Sequence, residues 1–158
     1  MHVRPLVMTK DEPMAWALMP AFLYRVYDFT CRHDPAMDAA AVCRDFEADF
    51  GSGAGRFFGL SLVDDEAQKV RGTLFAGIEI YRARYPYGMV YQWERDRGIE
   101  EPTELTHTCL QMLEGWARLH QLPRIRGLAE TPSRVRLFRM VGFSEGPVII
   151  NKELSNGR

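Results

Sequence analysis

The residues able to act as nucleophiles or metal ligands are few and scattered. The chain has four histidines and three cysteines. Four of these seven residues lie in two pairs close in sequence, Cys31 with His33 and His107 with Cys109. A thiol nucleophile needs an orienting base, and a metal needs several ligands at suitable spacing. No CxxC motif or third ligand accompanies either pair. The sequence therefore predicts neither a metal site nor a cysteine nucleophile, and it predicts Cys109 as a buried small residue.

Arginines are concentrated in the last third of the chain, at Arg118, Arg124, Arg126, Arg134, Arg136 and Arg139. Such a group can bind phosphates of nucleic acid or of a phosphorylated ligand. It can equally be solvated and paired with neighbouring acids such as Glu114 and Glu130. No exposed aromatic residues are expected between the arginines, and 20 Lys and Arg stand against 21 Asp and Glu in the whole chain. The sequence therefore argues against a nucleic-acid partner.

Length and composition define the kind of protein that must position these residues. With 158 residues, 46% hydrophobic and 26% charged, the chain is predicted to fold as one domain over residues 1–158. The early apolar stretch 13–24 is too short for a bilayer and is interrupted by Pro20, and no signal peptide is evident. Three widely spaced cysteines favour the reducing cytoplasm. Self-association stays open.

Hydrophobic periodicity predicts an alternation of strands and helices. Strands are expected at 3–9, 56–63, 70–81, 88–94 and 124–129, with two more within 143–154, and residues 85–88 are expected to form a turn. Helices are expected at 13–30 with a kink or break at Pro20, at 36–50, at 102–121, and from Pro132 to a C-cap at Gly142. This order predicts an α+β domain whose central mixed sheet carries helices on both faces.

Two of these segments carry patterns that place individual residues. On strand 88–94, alternation puts Val90, Gln92 and Glu94 on one face, and Met89, Tyr91 and Trp93 on the other. On helix 102–121, one apolar stripe is predicted to be buried against the sheet; its members are Leu105, Cys109, Met112, Leu113, Trp116 and Leu119.

Three phrases in the second half of the chain resemble the GNAT superfamily of acyl-CoA-dependent N-acetyltransferases. They are residues 70–75 (VRGTLF) after an acidic hairpin turn, 112–117 (MLEGWA) on the helix after the fourth strand, and 136–143 (RLFRMVGF). The last is similar to the family's (R)LYxxxGF passage, and the resemblance extends over residues 56–154. It implies the GNAT fold, acetyl-CoA as cofactor, and direct acetyl transfer to a primary amine.

The resemblance also implies where acetyl-CoA would bind. The family holds the pyrophosphate with an R/Q-x-x-G-x-G/A loop at a helix N-terminus, whereas residues 95–100 here read RDRGIE, so Glu100 replaces the small residue. Alignment on Trp116 instead puts the loop near residues 101–106, with Gly98 about six residues too early. Two interpretations stay open: an ordinary acidic first turn, or a rearranged loop in which Arg95, Arg97 and Gly98 bind the phosphates.

The family's fourth and fifth strands part to accept the pantetheine arm through backbone groups. By the resemblance, that contact falls on residues 91–94 and includes Tyr91, Gln92 and Trp93. The aromatic side chains of Tyr91 and Trp93 could line the arm or fill the core.

The resemblance further implies an acid and a base. Family members often use a strand glutamate to deprotonate the amine, and Glu94 and Glu79 are the candidates; the alternative for each is a solvated charge opposite an arginine. A tyrosine on the last helix usually protonates the leaving thiolate. Phe138 stands there and has no proton to give, so it is expected in the core, and Ser133 is the nearest hydroxyl.

Two functions therefore stay open. One is an acetyl-CoA-dependent N-acetyltransferase acting on an amine. The other is a GNAT-fold domain that has lost catalysis and serves as a binding or structural protein with a protein partner, with a bacteriophage virion as one setting.

Overall fold

The computed structural model describes residues 1–82, 84–127, 129, 132–144 and 146. The strands are β1 (Arg4–Val7), β2 (Phe57–Asp64), β3 (Lys69–Tyr81), β4 (Tyr85–Arg95) and β5 (Ile125–Gly127). The helices are α1 (Pro13–His33), α2 (Ala39–Ser52), α3 (Pro102–Leu119) and α4 (Pro132–Met140). In the described part of the chain, no helix has both the length and the apolar character needed to cross a bilayer.

The strands form one mixed sheet in the order β1-β2-β3-β4-β5. The first four are antiparallel neighbours, and β5 runs parallel to β4, with Gly88 opposite Ile125 and Val90 opposite Gly127. The strand–helix–strand unit β4-α3-β5 predicted from the sequence is therefore confirmed. Parallel neighbours require such a crossover connection.

Each face of the sheet has its own apolar core. On one face, α3 and α4 cover a cluster that includes Leu74, Val90, Trp93 and Leu113. On the other face, α1 and α2 cover a cluster built around Phe22, Phe46 and Phe75, whose rings pack mostly edge to face or tilted. The predicted α+β class, with helices on both faces of a central mixed sheet, is confirmed.

The apolar stripe of α3 is confirmed except at its last member. Trp116 is buried, as predicted, and its Nε1–H donates to the carbonyl oxygen of Gly55 at 2.8 Å. Cys109 is buried as well. Leu119, in contrast, is 80% exposed. It lies two residues, or about 200° of helical turn, beyond the buried Ala117 and thus points away from the sheet.

Two other boundaries differ from the sequence prediction. Helix α1 continues through Pro20 without a break. Residues 85–88, expected as a turn, belong to β4, and Pro86 lies opposite Ile80. Since Pro86 precedes the stretch that pairs with β5, its nitrogen need not donate to a second strand.

The C-terminal predictions can be compared only in part. The predicted C-cap is confirmed, because Gly142 has a φ of +95° directly after α4. The expected N-cap Thr131 and most of the expected strands within 143–154 lie outside the described residues.

Candidate functional site

A β-bulge interrupts the centre of β4. Val90 lies opposite Ala76 and Gln92 lies opposite Phe75, so Tyr91 has no residue of its own across from it. The extra residue puts Tyr91 and Gln92 on the same face, towards α1, while Val90 and Trp93 face α3. The predicted alternation across residues 89–94 is wrong because it assumed an unbroken strand.

The described pairing of β4 with β5 reaches the residue before this bulge. It runs from Gly88 opposite Ile125 to Val90 opposite Gly127, and β4 itself continues to Arg95. The family resemblance assigned the pantetheine arm to this continuing part of β4, at Tyr91, Gln92 and Trp93.

Trp93 and Phe138, beside this part of β4, are packed as core. Trp93 is buried and meets Phe138 of α4 edge to face, with ring centroids 6.0 Å apart. The tip of the Phe138 ring lies against Gly127, where an added Cβ would be 2.4 Å from Cζ. Phe138 is therefore a core aromatic residue, as predicted, and β5 needs a glycine to receive it.

The connection from β4 to α3 comprises residues 96–101. Gly98 has a φ of +80° and is exposed, Ile99 is buried, and Glu101 precedes the helix with a φ of +49°. The loop expected near residues 101–106 is wrong, because Pro102 begins α3 and residues 102–106 form its first turn. The actual loop contains Arg97 and Gly98, which the alternative interpretation had selected.

The N-terminus of α3 combines free donors with acidic neighbours. No side chain caps this end of the helix, and Glu100, Glu101 and Glu104 surround it. The guanidinium of Arg95 turns back to the helix and donates from Nη1 to Pro102 O (2.9 Å) and to the hydroxyl of Thr106 (3.0 Å). Arg97 is exposed in the loop. The helix dipole would attract a phosphate bound here, and the carboxylates would repel it.

Glu94 is held in an ion-pair network between β4 and α1. Its carboxylate is 3.3 Å from Arg32 Nη2 and 3.7 Å from Arg25 Nη1, and its side chain is 18% exposed. Arg25 also binds Asp96 at 2.7 Å. Glu94 thus lies opposite two arginines, which was the alternative to a catalytic base that the sequence left open.

Gln92 also belongs to this network, and one of its two polar atoms lacks a hydrogen-bond partner among the described residues. Its Nε2 donates to the hydroxyl of Thr73 (2.6 Å) and faces the carbonyl of Arg25 (3.4 Å) and Glu94 Oε1 (3.3 Å). Three acceptors around the nitrogen fix the amide orientation. Gln92 Oε1 is buried and has no hydrogen-bond partner among the described residues. Gln92 therefore fastens α1 to the sheet.

A second carboxylate, Glu79, accepts a short hydrogen bond from the hydroxyl of Tyr91. Burial, and then the neighbouring Glu79, raise the pKa of Tyr91 far above its usual range, so this hydroxyl keeps its proton. The ring reaches Glu79 by crossing Gly77, where a Cβ would lie 2.9 Å from Tyr91 Cε2. Sequence reasoning missed this bond because the bulge that aims Tyr91 leaves no periodic signal.

Ser133 lies apart from both glutamates. It is exposed in the first turn of α4, where its hydroxyl accepts a hydrogen bond from Arg136 Nη2 at 3.2 Å. Through Phe138, α4 packs on the Trp93 face of the sheet, whereas Glu94 bonds to α1 on the opposite face. The structure does not bring the predicted Ser133 and Glu94 together.

The described residues form no site suited to cysteine or metal chemistry. No group of three or more His, Cys, Asp or Glu side chains there could hold a metal ion. Burial raises the pKa of Cys109 to about 12, so this thiol is not ionised at neutral pH.

Neither a protein-family model nor a curated protein sequence matches the chain. Solved structures do. A predicted acetyltransferase with acetyl-CoA from Clostridium acetobutylicum has a TM-score of 0.68 and 10% identity, covering 96% of both chains. Glucosamine-6-phosphate N-acetyltransferase from Arabidopsis thaliana has a TM-score of 0.64 and 12% identity, covering 96% of this chain and 99% of that one. An aminoglycoside antibiotic 6'-N-acetyltransferase from Acinetobacter baumannii has a TM-score of 0.62 and 12% identity, covering 97% and 98%. At these identities the likeness shows a shared fold.

Proposed function

Because the chain has the GNAT fold, as its sequence predicted, we propose that it is an acetyl-CoA-dependent N-acetyltransferase of the cytoplasm that acts on a primary amine by direct transfer. The observation that supports this proposal is the β-bulge at Tyr91, directly beyond the described β4–β5 pairing and followed along the chain by the N-terminus of α3. An extended amide arm along this part of β4 would bring the phosphates of the ligand towards that helix N-terminus.

The residues present fit acetyl-CoA in part. The backbone of residues 91–94 would hold the arm, and the free N–H groups of α3, with Arg97 and Gly98, would hold the phosphates. Arg95 would contribute by fixing the start of α3. Glu100 and Glu101 oppose the phosphates, so we expect weak, salt-sensitive binding.

When bound, acetyl-CoA supplies the activated acetyl group. The chain's own part is to position the amine and take up its proton. Glu94, the base that the sequence favoured, faces Arg25 and Arg32, whereas Glu79 bonds to a neutral hydroxyl. Proton donation by Ser133 would require it to reach the β4 bulge from the first turn of α4.

Calorimetric titration with acetyl-CoA tests the proposal. We expect binding by the wild type and tighter binding by the Glu100→Gly/Glu101→Gly variant, because two repelling charges are removed and glycine suits the positive φ at residue 101. The pair Asp45→Asn/Glu47→Gln removes the same charge from exposed sites on α2 and should bind like the wild type. In the wild type, acetyl-CoA at a hundredfold excess over Kd should stabilise the fold by about 2.7 kcal/mol, raising Tm by about 5–10 °C.

A second function is favoured by specific observations. Phe138 offers no hydroxyl, Arg95 is committed to α3, and Glu94 is paired with two arginines. These features suit a GNAT-fold binding or structural protein without catalysis, for which a bacteriophage virion is one setting. Absence of binding heat in the wild type and in the double glycine variant at millimolar acetyl-CoA would overturn the enzyme proposal in favour of this one.

A further inference from the structure

We propose that the acceptor is an amine that also carries an oxyanion, a carboxylate or a phosphate, and that Glu79, Tyr87 and Arg126 bind it across strands β3, β4 and β5. This inference rests on the proposed function and adds to it the substrate class and the residues that select it.

The three residues form a row on one face of the sheet. Glu79 lies directly opposite Tyr87 in the β3–β4 ladder, and directly paired residues share a face. On β5, Arg126 lies opposite Met89, and its Cζ is 4.7 Å from the centroid of the Tyr87 ring. A carboxylate, an aromatic ring and a guanidinium therefore follow one another across three neighbouring strands.

The two charges at the ends of this row are unneutralised in the described part of the chain. Glu79 is half-buried, and its partner there is the uncharged hydroxyl of Tyr91. Arg126 is exposed and makes its cation–π contact with Tyr87, with no carboxylate in reach among the described residues. This contrasts with Glu94, Arg25 and Arg32, which satisfy one another.

The spacing of the row selects a ligand with two charges. The backbones of Glu79 and Arg126 are two strand spacings apart, about 10 Å, and the guanidinium reaches back over the Tyr87 ring, so the two charged groups are closer than their backbones. No ion pair joins them in the described part of the chain. A molecule with an ammonium at one end and an oxyanion at the other satisfies both. The guanidinium can bond a carboxylate or phosphate with two parallel hydrogen bonds, and the Tyr87 ring supports the guanidinium.

The ammonium end of this row is joined to the β4 bulge through one side chain. The ring of Tyr91, the bulge residue, crosses Gly77 to reach Glu79. An ammonium bound to Glu79 can transfer one proton to its carboxylate. This leaves a neutral amine with a free electron pair and a neutral carboxylic acid that retains the hydrogen bond from Tyr91. Glu79 then acts as the base, and Tyr91 as the residue that positions it.

Equilibrium binding of simple probes tests the inference separately from turnover. Calorimetry with 6-aminohexanoate, 4-aminobutyrate and O-phosphoethanolamine is compared with hexylamine, which has the amine alone, with and without saturating CoA. We expect at least one of the three bifunctional probes to bind about tenfold or more tightly than hexylamine. Whether the carboxylates or the phosphate bind tighter identifies the oxyanion.

Variants then assign the two ends of the row. Arg126→Gln should abolish the advantage of the bifunctional probe and leave hexylamine binding unchanged, whereas Glu79→Gln should weaken both. Arg118→Gln, at an exposed arginine of α3 on the other face of the sheet, is the matched control and should behave like the wild type. Each variant's unfolding curve verifies that it is folded.

The outcomes separate this inference from the proposed function. Equal binding of hexylamine and every bifunctional probe, an equal effect of Arg126→Gln on both kinds, or no probe binding would overturn the inference, even if acetyl-CoA is consumed with other amines. Retained selective binding without any acetyl-CoA turnover would support the inference about the row and refute only the enzymatic proposal.

Discussion

Replacing Phe138 with tyrosine restores the residue type that the GNAT resemblance leads one to expect, and the structure predicts that the change damages the protein. The ring is 7% exposed, and its tip lies against Gly127, with Cζ 2.4 Å from the position of a Cβ. A hydroxyl on Cζ would have to enter this close contact with the backbone of Gly127. A buried hydroxyl left unpaired costs about 1–3 kcal/mol, so Tm should fall by about 2–12 °C.

Urea unfolding of Phe138→Tyr, followed by tryptophan fluorescence, measures this loss directly. Phe143→Tyr is the matched control, because the Phe143 ring contacts Phe138 at 4.9 Å but is only half-buried; its stability should change by less than about 0.5 kcal/mol. A Phe138→Tyr protein as stable as the wild type would refute the reasoning, since the hydroxyl would then have found a partner or solvent. A gain in acetyl-transfer activity by Phe138→Tyr would also refute the reasoning, because the new hydroxyl would then have found a partner or solvent.

Three further outcomes follow from the packing and the charges. Trp116→Ala should lose about 3–5 kcal/mol in urea unfolding, and a loss below about 1 kcal/mol would mean that α3 does not rest on this ring. Hydrogen bonds from the backbone N–H of residue 67, and then from Arg71, hold the pKa of Asp64 below its usual 3.8. The stability that these bonds contribute is complete above about pH 5 and is lost as pH falls through the lowered pKa. Asp64→Asn should therefore flatten the acid side of a curve of stability against pH. Gly77→Ala should displace the rings of Phe57 and Tyr91, which lie 2.9 Å from the position of the added Cβ, and should lower the free energy of unfolding in urea; unchanged stability would contradict the contact.

The sequence predicted the larger elements of the fold because their signals are local. The stripe on α3 and the branched and aromatic strands β2 and β3 repeat with the period of a helix or strand, and α3 and its neighbours appear nearly as predicted. The proline at the start of α3 and the glycine after α4 marked those ends for steric reasons that act within a few residues.

The arrangement of the candidate site could not be predicted in the same way. One extra residue at Tyr91 changes which face Gln92 and Glu94 occupy, and nothing in the residue types of β4 marks the bulge. Glu94 and Glu79 were both candidate bases as strand glutamates, and the prediction that favoured Glu94 had no information on what packs against either. Only the packing of α1 over the sheet gives Glu94 two arginines, while Glu79 bonds to a tyrosine.

The bulge in β4 also divides the strand into two segments in which the alternation of side chains between the two faces has opposite phase. Up to Val90, every second residue belongs to one core; after it, the next member of that core is Trp93, three positions on. Deleting Tyr91 would remove the extra position and leave Gln92, Trp93 and Glu94 on the sides of the sheet that they occupy now. Straightening the strand with Tyr91 retained would instead exchange the apolar indole of Trp93 with the charged Glu94 between the two sides. Removal of this tyrosine is therefore compatible with the present core, whereas loss of the bulge with the residue kept is not.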